Sequence, residues 1–216
     1  MFDWQKKMES KIAEIGIIPV IKLDDPADAP HLAQALIAGR VSAAEVTFRT
    51  EKADQIIRAM RDSFPEMLVG AGTVLTLDQV KLAIEAMAAF IVSPGYDEEI
   101  VSYCIDQQMP VFAGAITPTE IQRIIKHGLY VAKFFPASQY GGLATIKALS
   151  GPFPDMKFIP TGGISLENLG EYAADKRILA CGGSYMVSDK LLKSRNWSEV
   201  SRLCVESVDV IKNARS

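Results

Sequence analysis

Apolar residues in this chain gather into short continuous runs, separated by longer stretches where they recur at every third or fourth position. The runs cover 16–21, 43–48, 68–73, 90–94, 110–115, 130–136, 157–161 and 178–182. Their length and their bounding Gly, Pro and Asp residues predict buried strands, and the spaced stretches predict helices. Helices are predicted near 53–61, 77–88, 98–107, 119–126, 143–149 and 166–173, with a closing one over 198–212. After the first run, Asp24-Asp25-Pro26 can cap a helix that continues through Ile37 and ends at Gly39. Ahead of the first run, Trp4, Met8 and Ile12 recur among charged residues. Residues 1–14 are therefore predicted to form an amphipathic helix lying across one end of the domain.

Helix starts carry their own chemistry. Thr76-Leu77-Asp78-Gln79, Thr117-Pro118-Thr119-Glu120 and Ser165-Leu166-Glu167-Asn168 each set a hydroxyl ahead of a helix with an acid or amide close behind. Pro118 suits a first helical position. Strands that alternate with helices must pair in parallel, because each crossover is helical. Apolar character on both faces fits a closed barrel in a helical jacket, and eight units make a (β/α)8 barrel (a TIM barrel with an extra N-terminal helix) the expected fold. An open doubly wound sheet is the competing arrangement. The first strand–helix turn lacks G-x-G-x-x-G, which counts against a dinucleotide site.

The 216 residues fit one domain, 1–216, with no linker-like segment. No apolar block reaches the ~20 residues of a membrane span, and Asp3-Trp4-Gln5-Lys6-Lys7 does not read as a signal peptide, so a cytoplasmic protein without a membrane partner is expected. A net charge of −3 without a basic cluster argues against nucleic acid. Cys104, Cys181 and Cys204 are odd in number and unpaired in spacing, which fits reduced thiols. His31 and His127 stand in no HExxH or triad-like context, so neither a metal nor a Ser-His-Asp site is expected.

A barrel carries its chemistry at the strand C-termini. In strand two, alternation puts Glu45, Thr47 and Arg49 on one face and apolar Val46 and Phe48 on the other, so the polar trio should point inward. A plain structural ion pair would also account for a carboxylate and a guanidinium there. Gly70 and Gly72 let other groups approach strand three closely, as crowding at the axis alone would also require. Strand six holds Lys133 among Val131, Phe134 and Phe135. Such a lysine either finds a carboxylate or snorkels to the strand end. Alternatively, its apolar wall disfavours the charged amine and frees it to attack a carbonyl. Lys22, at the end of strand one, is the rival nucleophile, but it lacks an aromatic wall. Strands seven and eight end in Gly162-Gly163 and Gly182-Gly183-Ser184. One Gly-Gly is a turn; two at consecutive strand ends favour phosphate binding. Cys181 beside them reads as a small buried filler.

Taken together, Glu45-Val46-Thr47-Phe48-Arg49-Thr50, Val69-Gly70-Ala71-Gly72-Thr73-Val74, Ser93-Pro94-Gly95, Thr117-Pro118-Thr119-Glu120, Lys133-Phe134-Phe135-Pro136, Thr161-Gly162-Gly163-Ile164 and Gly182-Gly183-Ser184 give the chain its family resemblance. It resembles the 2-keto-3-deoxy-6-phosphogluconate (KDPG) aldolase family, also described as 4-hydroxy-2-oxoglutarate (KHG) aldolases, along essentially its whole length. The resemblance implies Lys133 as Schiff-base lysine and Glu45 as general acid/base, with Arg49 and Thr73 on the pyruvate carboxylate. It further implies Phe135 and Thr161 as pocket walls, and Gly162, Gly163, Gly183 and Ser184 as the phosphate loop. Family members are similar in using no metal or other cofactor, in taking a small 2-keto acid phosphate and in forming homotrimers. Cleavage of KDPG to pyruvate and glyceraldehyde 3-phosphate, and of KHG to pyruvate and glyoxylate, is the implied reaction. A galactonate-phosphate aldolase and a non-covalent phosphosugar isomerase or epimerase are the alternatives. Arg40 departs from the family pattern, standing where a second glycine often follows Gly39. Ala113 and Ser42-Ala43-Ala44 also depart from it.

Overall fold

Residues 2–216 are described by a computed structural model, in which each apolar run becomes a strand. The strands are β1 (Ile17–Ile21), β2 (Ala43–Thr47), β3 (Leu68–Gly72), β4 (Ile91–Val92), β5 (Val111–Phe112), β6 (Val131–Phe134), β7 (Lys157–Pro160) and β8 (Cys181–Gly183). Six pair in the order β5-β4-β3-β2-β1-β8, and β6 pairs with β7. All pairs are parallel. Single bridges close the ring: Gly114 with Lys133 on one side of the β6–β7 pair, Phe158 with Ile178 and Thr161 with Gly182 on the other. The sheet curls into the expected (β/α)8 barrel.

Ten α-helices accompany the ring among the described residues. They are α1 (Asp3–Ile15), α2 (Ala29–Ala38), α3 (Ala53–Ser63), α4 (Leu77–Glu85), α5 (Glu98–Asp106), α6 (Pro118–Lys126), α7 (Gly142–Leu149), α8 (Leu166–Ala173), α9 (Asp189–Lys193) and α10 (Trp197–Arg215). Their starts follow the cap chemistry. Thr76 Oγ1 accepts from Gln79 N, and Thr117 with Glu120 forms a reciprocal capping box at α6. Ser165 N donates to Asn168 Oδ1 at 2.9 Å at α8. The turn Asp24-Asp25-Pro26 caps only a short 3-10 segment, Pro26–Asp28, before α2 begins.

Strand alternation splits the core into two shells. Ile17, Val46, Val69 and Phe134 face the helices, while Ile18, Leu68, Phe90, Phe112, Val131 and Ile159 fill the barrel interior. Phe90 and Phe112 meet edge to face at 5.7 Å. A Cβ on Gly70 would lie 2.1 Å from the Phe90 ring, so that glycine makes room for the ring.

Three expectations change. In α1 the buried residues are Gln5, Glu9 and Ile12, while Trp4 and Met8 are only partly covered. Ile12 joins the barrel interior, and Gln5 closes the strand ends by accepting from Val111 N (3.0 Å) and donating to Val111 O (3.3 Å). The helix thus turns an amide inward to satisfy open backbone groups, which a hydrophobic pattern does not register. Second, α4 stops at Glu85, and Met87 takes a left-handed φ of +63° beyond it. Third, β4 and β5 keep only two residues each in regular pairing. Arg40, where the family often has glycine, has a left-handed φ of +65°, a conformation that favours glycine. Its guanidinium reaches Asp209 on α10 at 2.8 Å, giving the arginine a contact glycine could not make. Among the described residues no helix is long and apolar enough to cross a membrane.

Candidate active site

Glu45 and Lys133 come from strands on opposite sides of the ring and meet inside it. Lys133 Nζ lies 2.9 Å from Glu45 Oε1 and 3.3 Å from Oε2, with both side chains almost fully buried. Burial of both charges is tolerated because each neutralises the other with good geometry. The pair depends on Gly72: a Cβ there would lie 2.1 Å from Glu45 Oε1, so β3 presents bare backbone where the carboxylate crosses it. The Phe135 ring centroid stands 5.4 Å from Lys133 Nζ, and the residue is 39% exposed, forming a lip over the amine. Alternation thus gives the correct direction for Glu45, Thr47 and Lys133, all buried.

Arg49 lies past the end of β2 and is exposed. Its Nε donates to Thr47 Oγ1 at 3.2 Å, and Thr47 in turn donates to Ile21 O at 2.9 Å. The inward strand residue therefore fixes the guanidinium stem. Arg49 shares a cavity of about 720 Å³ with Val20, Lys22, Gly163, Ser184 and Tyr185, among others. Val20, on the cavity wall, is the register partner of Glu45. Lys22 also lines the cavity but is exposed, unlike Lys133. Thr73 follows β3 with a left-handed φ of +54°. Thr161 is buried at the end of β7, and a Cβ on Gly182 would lie 2.2 Å from its hydroxyl. The Lys133–Glu45 pair, Thr73, Phe135 and Thr161 are not among the residues lining this cavity.

Gly163, which lines the cavity, and its neighbour Gly162 take left-handed conformations, at φ +80° and +93°. Their carbonyls are tied back, Gly162 O by Ser138 N and Gly163 O by Asn168 Nδ2 at 2.8 Å. Their N–H groups have no hydrogen-bond partner among the described residues. Paired glycine N–H groups ahead of a helix form an anion-binding concavity. Gly183 ends β8 and Ser184 lines the same cavity. Cys181 is fully buried, and burial pushes its thiol up to about 12, so it is an inert filler at neutral pH. Among the described residues there is no cluster of His, Cys, Asp and Glu suited to a metal ion.

The family model for KDPG and KHG aldolase matches residues 8–203. This chain belongs to that family. As an aldolase of this family it is 45% identical to the 2-dehydro-3-deoxy-phosphogluconate aldolase of Haemophilus influenzae over 202 residues, 94% of this chain and 95% of that protein. The KHG/KDPG aldolase of Escherichia coli is 38% identical over 98% of this chain and all of that protein. The crystal structure of KDPG aldolase from Legionella pneumophila, with pyruvate captured as a covalent carbinolamine, superposes with a TM-score of 0.88. It is 37% identical and covers 91% of this chain and 96% of that one.

One contributor escapes a reading of the sequence. Tyr185 lines the cavity, although nothing in its spacing marks it. Gly72 has a visible signal, a glycine in strand three, but its partner becomes known only from the fold.

Proposed function

We propose that the protein is a class I aldolase in which Lys133 forms the Schiff base. The buried Lys133–Glu45 contact at 2.9 Å supports this reading above all other observations, because a proton can pass directly from the ammonium to the carboxylate. The neutral amine adds to C2 of a 2-keto acid, and Glu45 returns its proton to the carbinolamine hydroxyl, which leaves as water to give an iminium and a carboxylate again. Glu45, through a water, takes the C4 hydroxyl proton. The C3–C4 bond breaks, its electrons flow into the iminium to give an enamine, and the aldehyde departs. A proton returned to C3 and hydrolysis then release pyruvate and the free lysine.

Arg49 and Thr73 hold the C1 carboxylate, where a planar fork supplies both charge and orientation. Phe135 and Thr161 shape the reacting end. Gly162, Gly163, Gly183 and Ser184 take the phosphate of KDPG, giving pyruvate and glyceraldehyde 3-phosphate; KHG is cleaved in the same way to pyruvate and glyoxylate. Residues 1–216 act as one domain, in the cytoplasm and as a homotrimer. Light scattering in solution checks the assembly.

Borohydride added with pyruvate should inactivate the enzyme and leave a carboxyethyl adduct on Lys133 in the peptide map. An unmodified Lys133 in the inactivated protein, or no inactivation, removes the Schiff-base reading. An isomerase or epimerase with the same cavity would survive the treatment. Cleavage rates on the gluconate and galactonate phosphates and on KHG rank the substrates.

A further inference from the structure

Tyr185 follows Ser184 directly, opens the short 3-10 turn Tyr185–Val187 and lines the cavity. Its ring lies over Gly183, where a Cβ would come within 3.1 Å of Tyr185 Cε1. Its hydroxyl is 2.5 Å from Ser207 Oγ on α10. Ser207 is fully buried and donates its only proton to Leu203 O at 2.7 Å. Tyr185 must therefore be the donor to Ser207, and burial pushes its phenol up to about 12, which keeps that proton in place at neutral pH. The result is a directed chain from the end of β8 into the backbone of α10.

The second glycine loop leans on the same helix. Asn168 on α8 holds Gly163 O, and α8 packs against α10, with Gly170 open to Val210. Helix α10 thus backs both loops, one through helix packing and the other through a hydrogen bond.

We propose that Tyr185 and Ser207 are positioning residues that hold the Gly183–Ser184 loop in its anion-binding geometry from helix α10. Neither touches the reacting atoms. The inference rests on the phosphate reading of the two glycine loops, and it predicts a defect confined to phosphorylated substrate.

The test uses Ser207→Ala and Tyr185→Phe in the full chain, with kcat and KM measured on KDPG and on its unphosphorylated counterpart, 2-keto-3-deoxygluconate. Exchange of the pyruvate methyl protons with deuterium reports the lysine end alone. Each variant should raise KM for KDPG about five- to tenfold, the effect of one lost hydrogen bond. KM for the unphosphorylated acid and the exchange rate should stay within about twofold of the parent on the same scale. Because both variants break the same bond, the double variant should be no worse than either single one. Equal losses on both substrates, an unchanged KM for KDPG or additive single effects would each overturn the positioning role. The parent enzyme tests the underlying reading separately: if it does not favour the phosphorylated acid, the phosphate reading falls and this inference falls with it.

Discussion

At position 72 the absence of a side chain matters as much as the two charges it serves. A methyl group there would occupy the space of the Glu45 carboxylate, 2.1 Å from Oε1, so Gly72→Ala must swing the carboxylate away from Lys133. The variant should trap pyruvate on Lys133 more slowly under borohydride, because the carboxylate that takes the proton of the ammonium has moved away. Its kcat for cleavage should fall about 100-fold, the scale of a lost general acid/base. Steady-state cleavage and adduct mass checks both, and a near-normal kcat would show that Glu45 does not act from its observed position. The same neighbourhood shows how far alternation is informative. It orients Glu45, Thr47 and Lys133 correctly because all three sit inside paired strand. Arg49 and Phe135 lie just beyond the last paired residues, and both are exposed. Their positions are set by the Thr47 hydroxyl and by proximity to the amine, neither of which has a period.

At the scale of elements, α1 is the piece whose logic differs most from its sequence pattern. Its apolar spacing points to Trp4 and Met8, whereas the buried stripe carries Gln5 and Glu9 over the strand ends. The bare Val111 N–H and C=O require an amide, and that requirement outweighs the apolar moment. Gln5→Leu should therefore destabilise the fold by about 2 kcal/mol, measured by urea unfolding, despite adding apolar surface. Glu9 accepts from Gln5 at 3.0 Å, yet burial, its largest influence, holds the carboxyl above its ordinary value of 4.5. A carboxyl whose folded pKa is raised binds its proton more tightly in the native state. Its contribution to stability is fully present below pH 4.5 and is lost as pH rises through the folded value. Glu9→Gln should therefore match the parent at low pH and gain on it as pH rises, with unfolding midpoints read across the series. Lys6 and Lys157 partly offset the penalty and remain in both proteins. Helix starts, by contrast, are legible because caps are local. The shortness of β4 and β5 is not, since ring closure decides how many residues stay paired.

For the molecule as a whole, the three thiols measure closure from three separate places: Cys104 on α5, Cys181 on β8 and Cys204 on α10. All three are fully buried, and burial pushes each from an ordinary 9.0 up to about 12. Reduced thiols follow from the sequence count, but their depth depends on the closed ring and its helical jacket. Between those two values the folded state keeps protons that the unfolded chain releases, so stability must fall as pH rises above 9. Each thiol contributes up to about 1.4 kcal/mol per pH unit. Tyr185, raised to about 12 by the same cause, adds to the slope from its ordinary 10.0 upward. The sign is opposite to that of a paired carboxylate, which loses stability toward acid. Urea unfolding from pH 8 to pH 11 should show a steep alkaline decline, and Cys104→Ala/Cys204→Ala should flatten it while lowering stability at pH 8. At that same pH a thiol reagent should react with none of the three cysteines in the native enzyme and with all three in denaturant. If the native protein reacts readily, or the double variant declines as steeply as the parent, the barrel is looser around α5 and α10 than the packing described above allows.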